Sequence, residues 1–231
     1  MCGIVGYVGS KDAYPILIKG LHRLEYRGYD SAGIALINPA GKLNVYKSKG
    51  KVTELEHFVE DKDTSGTTGI AHTRWATHGG PVVANAHPHI AGNRIALVHN
   101  GIIENFAQLR AELEATGVTM QSQTDTEVLA HLVNFYLEDD LLEALKKALS
   151  RVTGAYAVAV FDKRHPERIV GARQGSPMVV GLGEGENFIA SDAMALVGVT
   201  DKIVYLDDGD IVSMTKDTCE IFARTGSDTW Q

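Results

Sequence analysis

The second residue of the chain could act as a nucleophile. Cys2 follows the initiating methionine, and cysteine is small enough for that methionine to be removed. The processed chain would then carry a thiol and a free α-amine on its first residue. Because an α-amine titrates near pH ~7.7–8.0, it could serve as the general base for its own thiol. Considered alone, Cys2 more often means only a small residue at the start of a strand.

Six blocks of sequence place this cysteine in a wider pattern. They are 1–6 (MCGIVG), 24–33 (LEYRGYDSAG), 72–79 (HTRWATHG), 85–89 (NAHPH), 99–105 (HNGIIEN) and 124–127 (TDTE). In this order the blocks resemble the class II glutamine amidotransferases, which use an N-terminal nucleophile to release ammonia from the side-chain amide of glutamine. The resemblance covers nearly the whole chain, and it implies that Cys2 forms a γ-glutamyl thioester.

The resemblance assigns the recognition of L-glutamine to two oppositely charged side chains. Arg74 matches the residue that pairs with the substrate carboxylate, and a guanidinium can donate two parallel hydrogen bonds to that group. Asp125 matches the residue that accepts from the substrate α-ammonium. Without the other blocks, Arg74 would suit a surface ion pair. Asp125 would suit a helix cap, because residues 124–127 form a capping-box pattern.

The Asn100-Gly101 pair is the candidate oxyanion site. It follows residues 94–99, an apolar run that predicts a strand. At such a turn a side-chain amide and a backbone N–H can converge on one oxygen, and losing one such donor costs ~10²–10³ in rate. On its own, an Asn-Gly pair more often marks a plain tight turn.

Three further residues are assigned to the glutamine end of the site by the resemblance. Trp75 matches an aromatic residue of a loop that covers glutamine and helps to gate the passage of ammonia. From the residue type alone, a tryptophan packed in the core is equally plausible. Thr77 and His78, which follow it, are expected to add polar contacts to the substrate.

The resemblance also implies supporting residues around the nucleophile. Arg27 and Gly28 match positions that shape the site near the terminal cysteine, and a nearby arginine would favour the thiolate. His87 is expected to support the active-site loop. Several other histidines lie close in sequence, but the spacing of His87 and His89 is not that of a zinc site, and no cysteine pair accompanies it. We therefore predict no metal and no cofactor.

Composition narrows the class of protein. The 231 residues carry a formal net charge of −7, spread along the chain without an acidic tail, which argues against a nucleic-acid partner, since such a partner would favour a basic face. No apolar run is long enough to span a membrane, and the start of the chain lacks the basic region of a secretory signal. With only two cysteines and no disulfide framework, we expect a reducing, cytoplasmic setting.

The periodicity predicts an α+β fold with helices grouped between strand-rich stretches. Strands are expected near 3–8, 32–37, 43–47, 68–75 and 94–99, and seven more after residue 154. Helices are expected from about Asp12 to Gly28 and near 51–60, 105–116, 124–133 and 140–150, while residues 76–93 show no sustained period. The resemblance specifies a four-layer αββα sandwich of the N-terminal-nucleophile hydrolase type.

The blocks at 24–33 and 72–79 are most similar to the branch of the family that aminates fructose 6-phosphate. They fit amidophosphoribosyltransferase and asparagine synthetase less well. Members of the branch that aminates fructose 6-phosphate have a second half, an isomerase region, and act as homodimers. We therefore expect residues 2–225 to form the glutaminase domain and 226–231 to begin the linker to an isomerase region outside this sequence.

Two other functions suit a chain with these residues. The first is an N-terminal-cysteine acylase that cleaves a different linear amide, although such an enzyme would not need the pair Arg74 and Asp125. The second is a catalytically silent module that only binds glutamine. Because every expected catalytic residue is present, the sequence favours the glutaminase.

Overall fold

A computed structural model describes residues 2–76, 78–226 and 229–231. Within these ranges the strands are β1 (Gly3–Gly9), β2 (Ser31–Ile37), β3 (Leu43–Lys49), β4 (Thr68–Arg74), β5 (His89–Ala91), β6 (Ile95–Asn100), β7 (Tyr156–Asp162), β8 (Ile169–Gln174), β9 (Val179–Leu182), β10 (Glu186–Ala190), β11 (Lys202–Tyr205), β12 (Ile211–Met214) and β13 (Cys219–Phe222). The helices are α1 (Ala13–Leu24), α2 (Val52–Phe58), α3 (Phe106–Ala115), α4 (Asp125–Tyr136) and α5 (Leu141–Ser150).

The strands of the described part form two antiparallel sheets. One has the order β11-β9-β10-β1-β4-β2-β3, and the other has the order β13-β12-β8-β7-β6-β5. Helices α1 and α2 cover the first sheet, helices α3 to α5 cover the second, and a third apolar cluster fills the space between the sheets. The predicted α+β sandwich of four layers is confirmed.

Strand β1 shows why the sheets stack in this way. Val5 and Tyr7 pack under α1, whereas Ile4 and Val8 point to the second sheet. Side chains alternate along a strand, so a run that is apolar at every position must be buried on both faces. The strand that follows Cys2 therefore lies at the centre of the molecule, between β10 and β4.

The segment that lacked a period contains more structure than the sequence predicted. Residues Val83–Asn85 form a 3-10 turn, and β5 pairs with β6 through residues His89, Ile90 and Ala91. Three residues are too few to show an alternating pattern, so their position next to β6 decides the outcome. Asn105, the first residue of the helix expected at 105–116, directly precedes α3, but its side chain makes no cap hydrogen bond and its amide instead donates to the Arg151 carbonyl at 2.8 Å.

The last described residues pack back on the second sheet. Trp230 is 9% exposed, and its indole N–H donates to the Gly209 carbonyl at 2.8 Å. The division between a domain at 2–225 and a linker at 226–231 stays a prediction. No helix of the described ranges combines the length and the apolar character needed to cross a bilayer.

Candidate active site

The Cys2 thiol lies at the start of the central strand and contacts the backbone of Trp75. Its sulfur accepts a hydrogen bond from the Trp75 N–H at 3.1 Å and donates to the Trp75 carbonyl at 3.4 Å. Burial raises the pKa of the Cys2 thiol, while the hydrogen bond with Trp75 and the charge of Arg74 act in the opposite direction. Because burial prevails, the thiol needs a base before it can attack.

A cleft of about 480 Å³ opens next to this thiol. This volume falls in the range of sites that enclose small molecules. The predicted site residues that line the cleft are Cys2, Arg27, Arg74, Trp75, His87, Asn100, Gly101 and Asp125. These residues come from all six blocks of sequence, and the fold brings them to one place.

Arg74 ends β4 and is buried, with 2% of its surface exposed. Its guanidinium donates to the Gly80 carbonyl at 3.0 Å and to the His78 carbonyl at 2.5 Å. The alternative of a surface ion pair is therefore wrong. Because an arginine keeps its charge in proteins, Arg74 gives one wall of the cleft a positive charge and also holds the loop that follows Trp75.

Asp125 is the first residue of α4 and is buried, with 3% exposed. The capping role falls to Thr124, whose hydroxyl accepts from the Glu127 N–H at 3.2 Å. The Asp125 carboxylate instead accepts from the Ile103 N–H at 2.9 Å. An ionised carboxylate has about four acceptor positions, so it can accept a further hydrogen bond from a cation in the cleft.

Asn100 is the last residue of β6, and Gly101 follows it beside Cys2. The Asn100 amide nitrogen donates to the Cys2 carbonyl at 3.1 Å, and its oxygen accepts from His72 Nε2 at 3.0 Å. Gly101 has a φ of +112°, and a Cβ built there would lie 2.3 Å from the Ala155 carbonyl oxygen. The turn therefore requires glycine, and Asn100 and Gly101 both line the cleft beside the thiol.

The loop after β4 contains the remaining predicted substrate contacts. Trp75 is 53% exposed at the mouth of the cleft, so the alternative of a core tryptophan is wrong. The His78 ring packs against Phe106 with their centroids 4.5 Å apart, and His78 is not among the residues that line the cleft. Thr77 lies outside the described residues. The substrate contacts of all three residues stay predictions.

Two of the three predicted supporting residues line the cleft. Arg27 lines the cleft, and its Nη1 lies 3.7 Å from a carboxylate oxygen of Asp192. Gly28 has a φ of +83°, and a Cβ there would lie 3.4 Å from the Trp75 ring. His87 is buried and accepts from the His99 N–H at 3.4 Å. Gly28 thus supports the exposed tryptophan rather than lining the cleft.

Four buried histidines lie at and behind the cleft. His87 and His99 line it, and His72 and His89 pack against His87. We call these four residues the histidine floor. Burial lowers the pKa of His72 to about 3 and holds the pKa values of His87 and His89 well below their usual range. Burial also lowers the pKa of His99. All four are neutral at pH 7 and act as hydrogen-bonding groups. Within the described residues, no group of three or more metal-ligating side chains could hold an ion.

A comparison with known families decides what this site belongs to. A family model described as "Glutamine amidotransferase domain" matches residues 72–198, which is more than half of the chain. The chain belongs to the glutamine amidotransferase family. The match includes the block with Arg74, the Asn100-Gly101 turn and Asp125.

Similar proteins agree with this assignment. A "Glutamine--fructose-6-phosphate aminotransferase [isomerizing]" from Bacteroides thetaiotaomicron is 60% identical over 94% of this chain, which spans 36% of that protein. A protein of the same name from Haemophilus influenzae is 55% identical over 98% of this chain and 37% of its own length. This amidotransferase chain therefore spans a little over a third of the curated relatives that it matches.

The fold has solved counterparts. A glutamine phosphoribosylpyrophosphate amidotransferase from B. subtilis is 30% identical and superposes with a TM-score of 0.82, covering 95% of this chain and 48% of that one. A class-II glutamine aminotransferase domain protein from Silicibacter pomeroyi is 18% identical with a TM-score of 0.63, and that likeness concerns the fold alone. The amidotransferase fold thus persists where most residues differ.

The structure adds residues that the sequence did not assign to this amidotransferase site. Ser176 and Pro177 line the cleft. Asp30 accepts from the Ala76 N–H at 2.7 Å and so fixes the loop after Trp75. The sequence Gly-Ser-Pro after β8 predicts a turn, and this turn was the only sign in the sequence that Ser176 could lie near the cleft.

Gly33 on β2 approaches the site from the first sheet. A Cβ at this position would lie 1.8 Å from the His87 carbonyl oxygen and 3.2 Å from Pro88. The segment that leads into β5 therefore rests directly on the backbone of β2. This contact places His87 at the back of the cleft.

Proposed function

We propose that this chain hydrolyses the side-chain amide of L-glutamine to glutamate and ammonia, with Cys2 as the nucleophile. One observation carries the proposal: a single cleft is lined by the Cys2 thiol, by Asn100 and Gly101, and by the oppositely charged Arg74 and Asp125. In the proposal, Asn100 and the Gly101 N–H are the oxyanion donors. Glutamine is a zwitterion with an amide at its far end, and this set of groups matches it.

Binding uses the two charges first. Arg74 already donates to two backbone carbonyls, and a guanidinium has five N–H donors, so it can also pair with the substrate carboxylate. Asp125 accepts one backbone N–H and can accept the substrate α-ammonium as well. Both residues are buried, and charge-assisted hydrogen bonds strengthen where water is excluded. A substrate that lacks either charge would leave one of these ions without its partner.

Hydrolysis then proceeds in two steps. After removal of Met1, the α-amine of Cys2 takes the thiol proton. The thiolate forms a bond to the amide carbon, and the oxyanion accepts from Asn100 and the Gly101 N–H. The C–N bond breaks as the amine returns the proton to the leaving ammonia. Water then cleaves the thioester and frees the thiol and glutamate.

The destination of the ammonia is the second part of the proposal. The chain spans 36% of a relative named glutamine--fructose-6-phosphate aminotransferase. By this similarity, an isomerase region would use the ammonia and fructose 6-phosphate to form glucosamine 6-phosphate in a cytoplasmic homodimer. Residues 1–231 alone should release free ammonia and form no amino sugar.

The decisive experiment incubates the purified chain with glutamine and measures glutamate. We expect turnover by the wild type, none by Cys2→Ala, and normal turnover by Cys219→Ala, the matched control at the other free cysteine. Intact mass spectrometry of the same samples shows whether Met1 is absent. Activity retained in Cys2→Ala would remove the nucleophile from the proposal.

The same preparation separates the two alternatives. Glutamine that binds by calorimetry without forming glutamate would indicate a silent binding module. Turnover of a long-chain acyl amide, but not of glutamine, would indicate an acylase. The buried charges of Arg74 and Asp125 favour the glutaminase over the acylase, because a long acyl chain has no partner for either charge.

A further inference from the structure

His72 connects the two sheets directly behind the oxyanion site. It lies on β4, where Ile70 on the same face packs between the sheets. The His72 side chain is fully buried. Its Nε2 lies 3.2 Å from the His99 carbonyl oxygen and 3.0 Å from the Asn100 side-chain oxygen. One imidazole nitrogen therefore faces two oxygens at once.

The two oxygens determine where the imidazole proton lies. A backbone carbonyl can only accept, so the His99 contact requires a hydrogen on His72 Nε2. Burial holds the pKa of His72 at about 3, so the ring carries a single N–H at neutral pH. Its Nδ1 has no hydrogen-bond partner among the described residues, and the ring stacks on His87 with centroids 3.9 Å apart. His72 is thus the Nε2–H tautomer.

This tautomer determines the orientation of the Asn100 amide. A donor at His72 Nε2 requires the amide oxygen opposite it, and the amide nitrogen then points to Cys2 and donates to its carbonyl at 3.1 Å. The nitrogen carries a second hydrogen, which can be donated into the cleft that Asn100 lines. A flipped amide would place N–H against N–H at His72 and oxygen against oxygen at Cys2.

We propose that His72 is a positioning residue, which holds the Asn100 amide with its N–H groups on the side of the nucleophile. The inference rests on the proposed glutaminase function. A flipped Asn100 would present an acceptor to the developing oxyanion. Loss of the orientation should therefore approach the loss of the donor itself, ~10²–10³ in rate. His72 does this without touching the substrate.

A matched pair of variants tests the role. In His72→Gln the amide nitrogen can reach the Nε2 position, whereas in His72→Asn it reaches only the Nδ1 position. For glutamine hydrolysis, we expect His72→Gln to keep kcat within about tenfold of the wild type. We expect His72→Asn to lose about 10²-fold in kcat with little change in KM, because the interaction matters mainly in the transition state. Equal kcat values for the two variants would overturn the proposal.

A double-mutant cycle distinguishes positioning from general support. If His72 acts only through Asn100, His72→Asn should cost no further activity in an Asn100→Ala background. A residue that merely supports the fold would lower the rate by the same factor in both backgrounds, and that result would refute the inference. Thermal unfolding of each variant shows whether it is folded at the assay temperature.

Spectroscopy of the wild type tests the geometry without any variant or activity. Long-range ¹H–¹⁵N spectra of ¹⁵N-histidine-labelled protein distinguish the two neutral tautomers. We expect the Nε2–H form for His72, unchanged from pH 8 to pH 6. An Nδ1–H tautomer would overturn the inference even if the variants do not fold. A wild type with this tautomer but no glutaminase activity would instead contradict the proposed function.

Discussion

Replacement of Gly101 by alanine should inactivate the site while the fold persists. The residue has a φ of +112°, and an added Cβ would lie 2.3 Å from the Ala155 carbonyl oxygen. Contacts of this kind are not found below 3.0 Å, so the two backbones must separate by about 0.7 Å (3.0 minus 2.3). A misplacement of ~1 Å in an active site can cost about 10²-fold in rate. The Gly101 N–H moves with the backbone, so we expect kcat to fall about 10²-fold.

Stability should fall in the same variant for two reasons. A left-handed backbone costs a residue with a side chain about 1–2 kcal/mol, and the forced separation adds about 1–3 kcal/mol. The sum, about 2–5 kcal/mol, is measurable by urea unfolding of the wild type and the variant. It is less than many domains of this size possess, so the variant should still fold at 25 °C.

Gly117→Ala is the matched control for Gly101→Ala. Gly117 has a φ of +98°, but a Cβ there would meet nothing within 4 Å. It should lose only the backbone cost, about 1–2 kcal/mol, and keep normal glutamine turnover. Normal kcat in Gly101→Ala, or an equal loss of kcat in Gly117→Ala, would refute the argument that the Ala155 contact holds the oxyanion donor in place.

Three further predictions concern charge, pH and the exposed tryptophan. Arg74→Lys should raise KM for glutamine by about 10-fold or more, because one ammonium cannot replace the two parallel donors of a guanidinium. The control Arg110→Lys on α3 should leave the kinetics unchanged. Equal KM values for Arg74→Lys and the wild type in steady-state assays would contradict this prediction. The stability of the wild type should fall as the pH drops from 7 to 5. The buried His72 has a pKa of about 3 against about 6.5 when unfolded, so below pH 6.5 the unfolded state binds the extra proton. Each such histidine lowers the free energy of unfolding by up to about 1.4 kcal/mol per pH unit within this window. A free energy of unfolding in urea that does not change between pH 7 and pH 5 would contradict this prediction. Trp75→Phe should abolish the change in tryptophan fluorescence on addition of glutamine, whereas Trp230→Phe should retain it; a signal that survives in Trp75→Phe would place the covering loop elsewhere.

The sheets and helices followed from the sequence because their patterns are long. Strand β1 is apolar at nearly every position, which predicts burial on both faces, and the strand lies at the centre of its sheet. Helix α1 ends at Leu24, earlier than predicted, and a 3-10 turn over Glu25–Arg27 continues to Gly28, where φ is positive. Strand β5 was missed, since three residues carry no period and its formation depends on the neighbouring β6. The secondary structure of a long periodic segment can therefore be predicted from its own residues, whereas that of a short segment depends on tertiary contacts.

The candidate site followed from the sequence only in part. Residue type suggested the chemistry of Cys2, but a short motif cannot show whether Arg74 is buried or exposed. The structure answers this question, because the guanidinium is enclosed by the loop that it anchors. Ser176 was not predicted, because its contribution arises from the approach of a distant turn to the cleft.

Gly33 has a consequence for how inactivating substitutions in this domain should be interpreted. The position belongs to β2, on the far side of β4 from the nucleophile, and the His87 carbonyl occupies the space where a side chain would begin. Any larger residue would force the two sheets apart at this point and move the histidine floor away from the thiol. A saturation screen would score position 33 as intolerant although it never meets glutamine. The glycine that ends the 24–33 block thus sets a spacing between sheets and takes no part in recognition.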